Sequence, residues 1–185
     1  HSNPSRPHSL CTRDDAEDSL IQLFSFSKSY RLMGHRVGAI ITSPSLLLEI
    51  EKFLDTVTIC PSQVGQYAAY WGLENLSGWL NEQRQEFLKR GYCLEEHFTI
   101  LRDMGWKILS KGAYFAYVEH PFSQPSDAIA KALVKEAAIL CLPGTMFAPA
   151  EMSAPQQQLR IAFANIGCNR IEILLQRLHK FSLKL

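Results

Sequence analysis

The sequence has almost no excess of charge of either sign. Nineteen lysines and arginines accompany eighteen aspartates and glutamates in 185 residues, which leaves a formal net charge of +1. A protein that bound nucleic acid or an anionic membrane through its overall field would carry a clear basic excess. The chain therefore predicts neither kind of partner, and any anion that it binds must be held by a few local side chains.

Long apolar runs and pairing patterns of cysteine or histidine are also missing. The longest apolar runs, such as 137–142, are far shorter than the ~18 residues of a membrane-spanning helix. The five cysteines are widely spaced without a C-x-x-C pair, and the histidines show no metal-ligand spacing. We therefore expect a reduced, cytoplasmic protein with no membrane span and no bound metal. The phosphate-binding motifs G-x-x-x-x-G-K-[ST] and G-x-G-x-x-G are likewise absent.

What is present is the composition of a folded domain. Apolar residues make up 46% of the chain and charged residues 20%, as in soluble globular proteins. Nearly continuous apolar runs at 20–26 and 37–41 are typical of strands buried on two faces in a helix-covered sheet. Ser43 followed by Pro44 predicts the start of a helix over 44–55. An α/β layer therefore follows an irregular segment over the first nineteen residues.

The remaining pattern is richer in helices and then in strands. An amphipathic stripe that includes Tyr67 and Trp71 predicts a second helix, with its aromatic side chains in a core or an interface rather than in a ligand site. A long helix over 77–103 follows. The other predicted elements are strands at 106–109, 113–118, 138–142 and 159–165, a helix from Ser126 to about 137, and a last helix capped by Asn169. The pattern from residue 77 onward predicts a small α+β domain.

The stretch from Ser25 to Gly38, SFSKSYRLMGHRVG, concentrates groups that suit one kind of ligand. Lys28 would follow the C-terminal end of a strand, where its amine can attack a carbonyl carbon, although most lysines are simply solvated. Arg36, flanked by Gly34 and Gly38, offers a planar fork of donors for phosphate oxygens. Ser25 adds a hydroxyl. Together they predict a cofactor with an aldehyde and a phosphate, which is pyridoxal phosphate.

These residues resemble the S-x-S-K-x(5)-G-x-R-x-G signature of class I and II pyridoxal-phosphate-dependent aminotransferases of fold type I. The resemblance implies that Lys28 forms the internal aldimine and then moves a proton between the substrate Cα and the cofactor. It implies equally that Ser25 and Arg36 hold the cofactor phosphate. The implied fold is α/β, with the C-terminal part of the large pyridoxal-phosphate domain at 1–76 and a small α+β domain at 77–185.

Further matches run towards the C-terminus. KGAYFAYVE resembles the family's glycine-aromatic strand, LPGTMF its P-G-x-x-F segment, and LRIAFAN the strand whose arginine binds the substrate α-carboxylate, which carries over to Arg160. On a strand, Arg160 shares a face with Ala162 and Ala164, small neighbours that leave room for a ligand; a structural salt bridge is the alternative. Residues 58–61 lie where the family places a loop that reaches the partner's active site in a homodimer.

The resemblance covers only the later half of the family's fold. The family's phosphate loop, the aromatic ring that stacks on the cofactor, and the aspartate that protonates its pyridine nitrogen have no counterpart. We expect a fragment, or a product that needs a companion segment, with little activity alone. The predicted reaction moves an amino group between an amino acid and a 2-oxo acid. Another pyridoxal-phosphate reaction, such as C–S bond elimination or decarboxylation, and a non-catalytic dimerisation module remain open.

Overall fold

The computed structural model describes residues 9–149 and 151–184, so the irregular segment predicted at the start is tested only from Ser9 onward. The α-helices of this part are α1 (Ala16–Ser19), α2 (Phe26–Ser29), α3 (Pro44–Val57), α4 (Gln63–Asn75), α5 (Ser77–His97), α6 (Thr99–Arg102), α7 (Ser126–Ala132) and α8 (Cys168–Ser182). The strands are β1 (Gln22–Ser25), β2 (Gly38–Ile41), β3 (Lys107–Gly112), β4 (Phe115–Glu119), β5 (Leu142–Pro143) and β6 (Gln158–Ala162). Short 3-10 turns cover Leu10–Thr12, Met33–His35, Gly144–Phe147 and Ala154–Gln157, and a π-helical turn covers Leu133–Ala137.

The chain divides into two compact units. The first ends at Gln83 and the second begins at Arg84, a division that falls inside α5. The domain boundary expected from the sequence, after residue 76, lies just before α5 begins. That boundary remains a prediction, and the two units are described separately below.

The first unit is built around a two-stranded antiparallel ribbon. Strands β1 and β2 pair from Gln22 opposite Ile41 to Ser25 opposite Gly38. The expectation that both strands are buried on two faces is wrong, because Leu23 is 74% exposed and Ile41 57% exposed. Within the described residues β1 pairs only with β2, and the side chains of β1 alternate between half-buried and exposed.

Helix α3 begins where the sequence predicts. Ser43 is its N-cap, with Oγ accepting a hydrogen bond of 3.4 Å from Leu46 N, and Pro44 is the first helical residue. The helix continues to Val57, two residues beyond the predicted end. The local capping chemistry was therefore sufficient to place this element.

Helix α4 buries the face opposite to the one expected. Its aromatic residues Tyr67 and Trp71 are 67% and 58% exposed, whereas Gly65, Ala69 and Gly72 are buried. A Cβ added at Gly72 would lie 2.8 Å from the Tyr30 ring, and one at Gly65 would lie 3.1 Å from the His35 carbonyl oxygen. The prediction that the aromatic stripe packs in the core is therefore wrong within this unit. The small residues on the other face let the α4 backbone approach residues 30–35 closely instead.

The second unit is an antiparallel sheet covered by helices. The strand order is β3-β4-β6-β5. Leu94 and Phe98 from the long helical stretch, Leu159 and Ile161 from β6, and Leu175 from α8 belong to one buried core. The predicted helix at 77–103 is confirmed as α5 followed closely by α6. This unit has the α+β character expected from the sequence.

Three local expectations in this unit are wrong. Pro125 rather than Ser126 caps α7, and the buried Ser126 hydroxyl donates to the Pro155 carbonyl instead. The predicted strand at 138–142 is reduced to Leu142–Pro143, because the backbone before it ends the π-helical turn in a left-handed conformation. Helix α8 starts one residue before the expected cap.

No helix within the described residues is both long and apolar enough to cross a bilayer.

Candidate functional site

The predicted lysine follows a sharp change from strand to helix. Strand β1 ends at Ser25, which is also the N-cap of the one-turn helix α2; its Oγ accepts a hydrogen bond from Ser27 N at 3.3 Å. Phe26 N donates to the Val37 carbonyl, and Phe26 is buried. The segment is therefore held against β2 while Lys28 is left exposed on its outer side.

Arg36 returns to the same point from the other end of the motif. Its Nη1 lies 3.0 Å from the Met33 carbonyl oxygen and 3.5 Å from the Ser27 hydroxyl. Ser25, Ser27 and Arg36 thus form one connected polar group, which Ser27 bridges. Ser25 and Arg36 were predicted to bind the cofactor phosphate, whereas Ser27 was not among the predicted phosphate-binding residues. The second serine of S-x-S-K was the available indication.

Of the two glycines that flank Arg36, only Gly38 is required by close packing, and neither has an unusual φ angle. Neither has a positive φ; Arg36 itself takes the left-handed conformation, with φ 53° and ψ 48°. Gly38 is needed for close approach, because a Cβ there would lie 2.9 Å from the Phe24 carbonyl oxygen. Gly34 has open space at the corresponding position. The unusual backbone angle therefore belongs to the arginine.

The donors around Lys28 suit a ligand with a phosphate and a carbonyl. In the part of the chain that the structure describes, the Lys28 amine has no hydrogen-bond or ion-pair partner. Arg36 uses only Nη1, so its other N–H groups have no acceptor there. The hydroxyls of Ser25 and Ser27 precede the lysine in the motif, and the Ser27 hydroxyl lies 3.5 Å from Arg36 Nη1. A guanidinium with hydroxyl neighbours fits a phosphate, and a free amine fits a carbonyl.

Arg160 in the second unit lies against two aromatic rings. Its Cζ is 4.3 Å from the centroid of the Phe115 ring and 4.2 Å from that of Phe147. Leu159 and Ile161 are buried on the opposite face of β6, as the alternation predicts. The expectation that small residues surround the guanidinium is wrong. Phe115 from β4 and Phe147 from the 3-10 turn after β5 both contact it.

The guanidinium of Arg160 is nevertheless available to a ligand. No hydrogen bond or ion pair joins it to any residue within 9–149 or 151–184, so the structural salt bridge considered as an alternative is not formed there. Tyr117 is its partner residue in the β4–β6 register. Burial raises the pKa of the Tyr117 phenol, so this neighbour stays neutral. The positive charge of Arg160 is therefore not neutralised by the described residues.

The P-G-x-x-F segment explains how Phe147 reaches Arg160. Pro143 lies in β5, Gly144 begins a 3-10 turn, and Phe147 ends that turn. Gly144 is buried, and a Cβ added there would lie 2.5 Å from the Pro155 carbonyl oxygen and 2.7 Å from Tyr117 Oη. Only glycine lets the turn pack this closely, and the turn then places the ring on the arginine. The motif was visible in the sequence, but the contact was not.

Residues 58–61, expected to reach a partner subunit, form the connection between α3 and α4. Thr58 ends α3, and Ile59 is 78% exposed with φ 60°. The exposure leaves these side chains free of the first unit's core. Their role across an interface remains a prediction.

The architecture places the chain in a known class. An aromatic aminotransferase from Pyrococcus horikoshii superposes with a TM-score of 0.80 at 24% identity, covering 98% of this chain and 48% of that one. An aminotransferase from Staphylococcus aureus superposes with a TM-score of 0.77 at 23% identity, covering 92% and 43%. The chain therefore has part of the fold of fold type I aminotransferases.

Sequence similarity identifies the family. Residues 2–178 match the family described as aminotransferase class I and II. Aromatic aminotransferase ISS1 of Arabidopsis thaliana is 27% identical over 167 residues, 88% of this chain and 41% of that protein. The (5-formylfuran-3-yl)methyl phosphate transaminase of Methanocaldococcus jannaschii is 26% identical over 170 residues, 91% and 43%. The chain belongs to the class I and II aminotransferase family, and it spans about two fifths of the length of these curated relatives.

Proposed function

We propose that this chain supplies the cofactor-attaching lysine and the carboxylate-binding arginine of a pyridoxal-phosphate-dependent aminotransferase. The observation that carries the proposal is the connected group of Ser25, Ser27 and Arg36, which Lys28, with its exposed and unpaired amine, directly follows in the chain at Ser27. Membership of the class I and II family supports the same assignment. The reaction moves an amino group from an amino acid to a 2-oxo acid.

In the first unit, Arg36 and the two serine hydroxyls hold the phosphate. Arg36 Nη1 already donates hydrogen bonds to the Met33 carbonyl and the Ser27 hydroxyl, so its remaining N–H groups are left to bind the anion. Charge-assisted hydrogen bonds of this kind are about twice as strong as neutral ones. Arg36 thus both braces its own loop and neutralises the phosphate.

Lys28 supplies the amine that attaches the cofactor through its aldehyde. With the cofactor bound, Lys28 Nζ would move a proton between the substrate Cα and the cofactor as the amino acid becomes a 2-oxo acid. When bound, pyridoxal phosphate supplies an electron sink that makes loss of that proton feasible. Lys28 is exposed on a helix of only one turn, so its amine is free both to hold the cofactor and to reach the substrate Cα.

In the second unit, Arg160 binds the carboxylate common to amino acids and 2-oxo acids. Two phenyl rings lie against its guanidinium, so the N–H edges are the parts left to donate. Paired donation from one guanidinium edge matches the two oxygens of a carboxylate. This requirement selects acids without distinguishing their side chains. We further propose that the complete enzyme acts as a homodimer with residues 58–61 near the interface.

Attachment of the cofactor is testable without measuring activity. The purified chain is incubated with pyridoxal phosphate, reduced with borohydride, digested and examined by mass spectrometry. We expect the label on Lys28, its loss in Lys28→Ala, and at least about tenfold weaker labelling in Arg36→Ala. Lys52→Ala is the matched control, since Lys52 is an exposed lysine paired with Glu49. Equal labelling of both lysines, unchanged in Lys28→Ala, would contradict the proposal.

The type of reaction is tested by product balance. The protein that carries this chain is supplied with an amino acid and a 2-oxo acid, and the new amino acid, the new 2-oxo acid, ammonia and carbon dioxide are measured. Transfer predicts equal amounts of the first two products and none of the last two. Release of ammonia would indicate elimination, and release of carbon dioxide would indicate decarboxylation. If the protein that carries Lys28→Ala kept all of its function, the chain would have a non-catalytic role, such as dimerisation.

A further inference from the structure

Three metal-ligating side chains meet between two helices of the second unit, and a second cysteine lines the same surface cavity. Cys93 and His97 are one turn apart on α5, and Cys168 and Glu172 are one turn apart on α8. Cys93 Sγ, a ring nitrogen of His97 and a carboxylate oxygen of Glu172 all lie within 4.8 Å of one another. Cys168 lies beside Cys93 on the wall of the same cavity. None of the four belongs to the aminotransferase motifs.

The cluster opens to solvent. It lines a surface cavity of about 570 Å³ whose other walls include Tyr92 and Lys89. Cys93 is 7% exposed, whereas the side chains of His97 and Glu172 are 41% and 44% exposed. A small cation therefore has an entry path to ligands that the helices already hold. His97 Nε2 and Glu172 Oε1 are 3.2 Å apart, which fixes that side of the cluster.

We propose that Cys93, His97, Cys168 and Glu172 bind one divalent cation of the zinc type. Two thiolates, an imidazole and a carboxylate form a four-coordinate ligand set of the kind that zinc prefers. Zinc bonds of ~2.0–2.3 Å place tetrahedral ligand atoms ~3.3–3.8 Å apart. The ligand atoms of Cys93, His97 and Glu172, which are up to 4.8 Å apart, would need side-chain movements of about 1 Å. Cys168, on the wall of the same cavity, would supply the fourth ligand.

A disulfide between Cys93 and Cys168 is the competing use of the same thiols. Its formation would need an oxidant that removes two electrons and two protons from the thiols. It also leaves unexplained why an imidazole and a carboxylate from the two helices lie beside them. The one-turn spacing on both helices directs two ligands from each towards one point, as paired ligands on helices do in other zinc sites. The bound ion would link α5 to α8 inside the second unit.

Cobalt titration of the full, reduced chain tests the site. Co²⁺ bound by thiolates in tetrahedral geometry gives intense visible and near-ultraviolet bands, which Zn²⁺ then displaces. We expect one Co²⁺ per chain, with affinity reduced at least about tenfold in His97→Gln and in Glu172→Gln. The matched controls are His179→Gln on α8 and Cys60→Ser at an exposed thiol. Both should bind as the unaltered chain does.

The cysteine variants complete the test. Cys93→Ser and Cys168→Ser should each abolish the charge-transfer bands, and circular dichroism reports whether each variant is folded. If the buried Cys93 variant does not fold, the partly exposed His97 and Glu172 variants decide the question. Failure of the reduced chain to bind Co²⁺, or equal binding in the His97, Glu172 and control variants, would overturn the proposal. A mass loss of two hydrogens on oxidation without Co²⁺ binding would favour the disulfide.

Discussion

Arg160 and Phe147 are packed together, with the guanidinium carbon 4.2 Å from the centroid of the phenyl ring. Cation–π contacts of this kind contribute about 0.5–1 kcal/mol when they are partly exposed. A double-mutant cycle of Arg160→Ala and Phe147→Leu should therefore show a coupling of about 0.5–1 kcal/mol in urea unfolding. The result would establish that the ring positions the arginine before any ligand arrives.

The neighbouring side chain in the same turn provides the control for that cycle. Met146 is also exposed but makes no ring contact with Arg160. Arg160→Ala and Met146→Leu should be additive within the error of the measurement. Equal coupling in both cycles would mean that the turn, and not the ring, connects these residues.

Gly144→Ala should destabilise the second unit by about 2 kcal/mol, because overpacking a filled site typically costs 1–3 kcal/mol. The added methyl group would lie 2.5 Å from the Pro155 carbonyl oxygen and 2.7 Å from Tyr117 Oη. Urea unfolding measures the loss. Gly78→Ala in α5 is the control, since its methyl group meets nothing within 4 Å; it should gain up to about 1 kcal/mol. A neutral Gly144→Ala would show that the turn rearranges freely.

His120 should make the fold sensitive to acid. It is 1% exposed, neither ring nitrogen has a partner among the described residues, and it stacks on Phe122. Burial lowers its pKa below the ordinary 6.5, and the opposing effect of Glu119 is smaller. Below pH 6.5 the unfolded chain therefore binds a proton that the folded chain resists. Stability should fall with decreasing pH, by at most about 1.4 kcal/mol per pH unit from this group.

Comparison with His120→Leu isolates that contribution. The variant should lose the histidine part of the pH dependence and be at least as stable at pH 8, since an unpaired buried polar group is removed. His179→Gln on α8 should keep the dependence of the unaltered chain. An identical pH profile in His120→Leu would mean that other groups cause the acid sensitivity.

Ala138→Gly should stabilise the second unit. Ala138 has φ 52° and ψ 44°, a left-handed conformation that costs an L-residue about 1–2 kcal/mol relative to ordinary geometry. Its carbonyl accepts a hydrogen bond from Arg177, which glycine would keep. We expect a gain of about 0.5–1 kcal/mol in thermal or urea unfolding. Ala137→Gly, on the preceding helical turn, should lower the free energy of unfolding by about 0.5–1 kcal/mol. A loss of stability in both variants would contradict the prediction that Ala138 is strained.

Features written locally in the chain were predictable. The Ser43-Pro44 start of α3 needs only a hydroxyl and a proline ring, and the structure has both in place. The closeness of Ser25 to Arg36 was also readable locally, because both belong to one motif of twelve residues, and the roles assigned to them remain predictions. In each case the relevant contacts are close in sequence.

Contacts between distant segments were not predictable in the same way. The rings on Arg160 come from β4 and from the turn after β5, which no spacing rule joins to β6. The buried face of α4 was misjudged because Gly65 and Gly72 pack through their lack of side chains. The Cys93 cluster forms no ligand motif in the sequence, because its residues come from two helices that are far apart in the chain.

The rings on Arg160 also make its site a discriminator of anion shape. The guanidinium carbon lies 4.3 Å and 4.2 Å from the centroids of two phenyl rings, so an incoming acid must bind where the rings leave the N–H groups open. We expect a flat carboxylate to fit beside the rings better than a tetrahedral sulfonate or phosphonate, whose third oxygen projects out of the plane of the other two. Sulfonate analogues of amino acids should consequently be poor competitors, even though they carry the same charge.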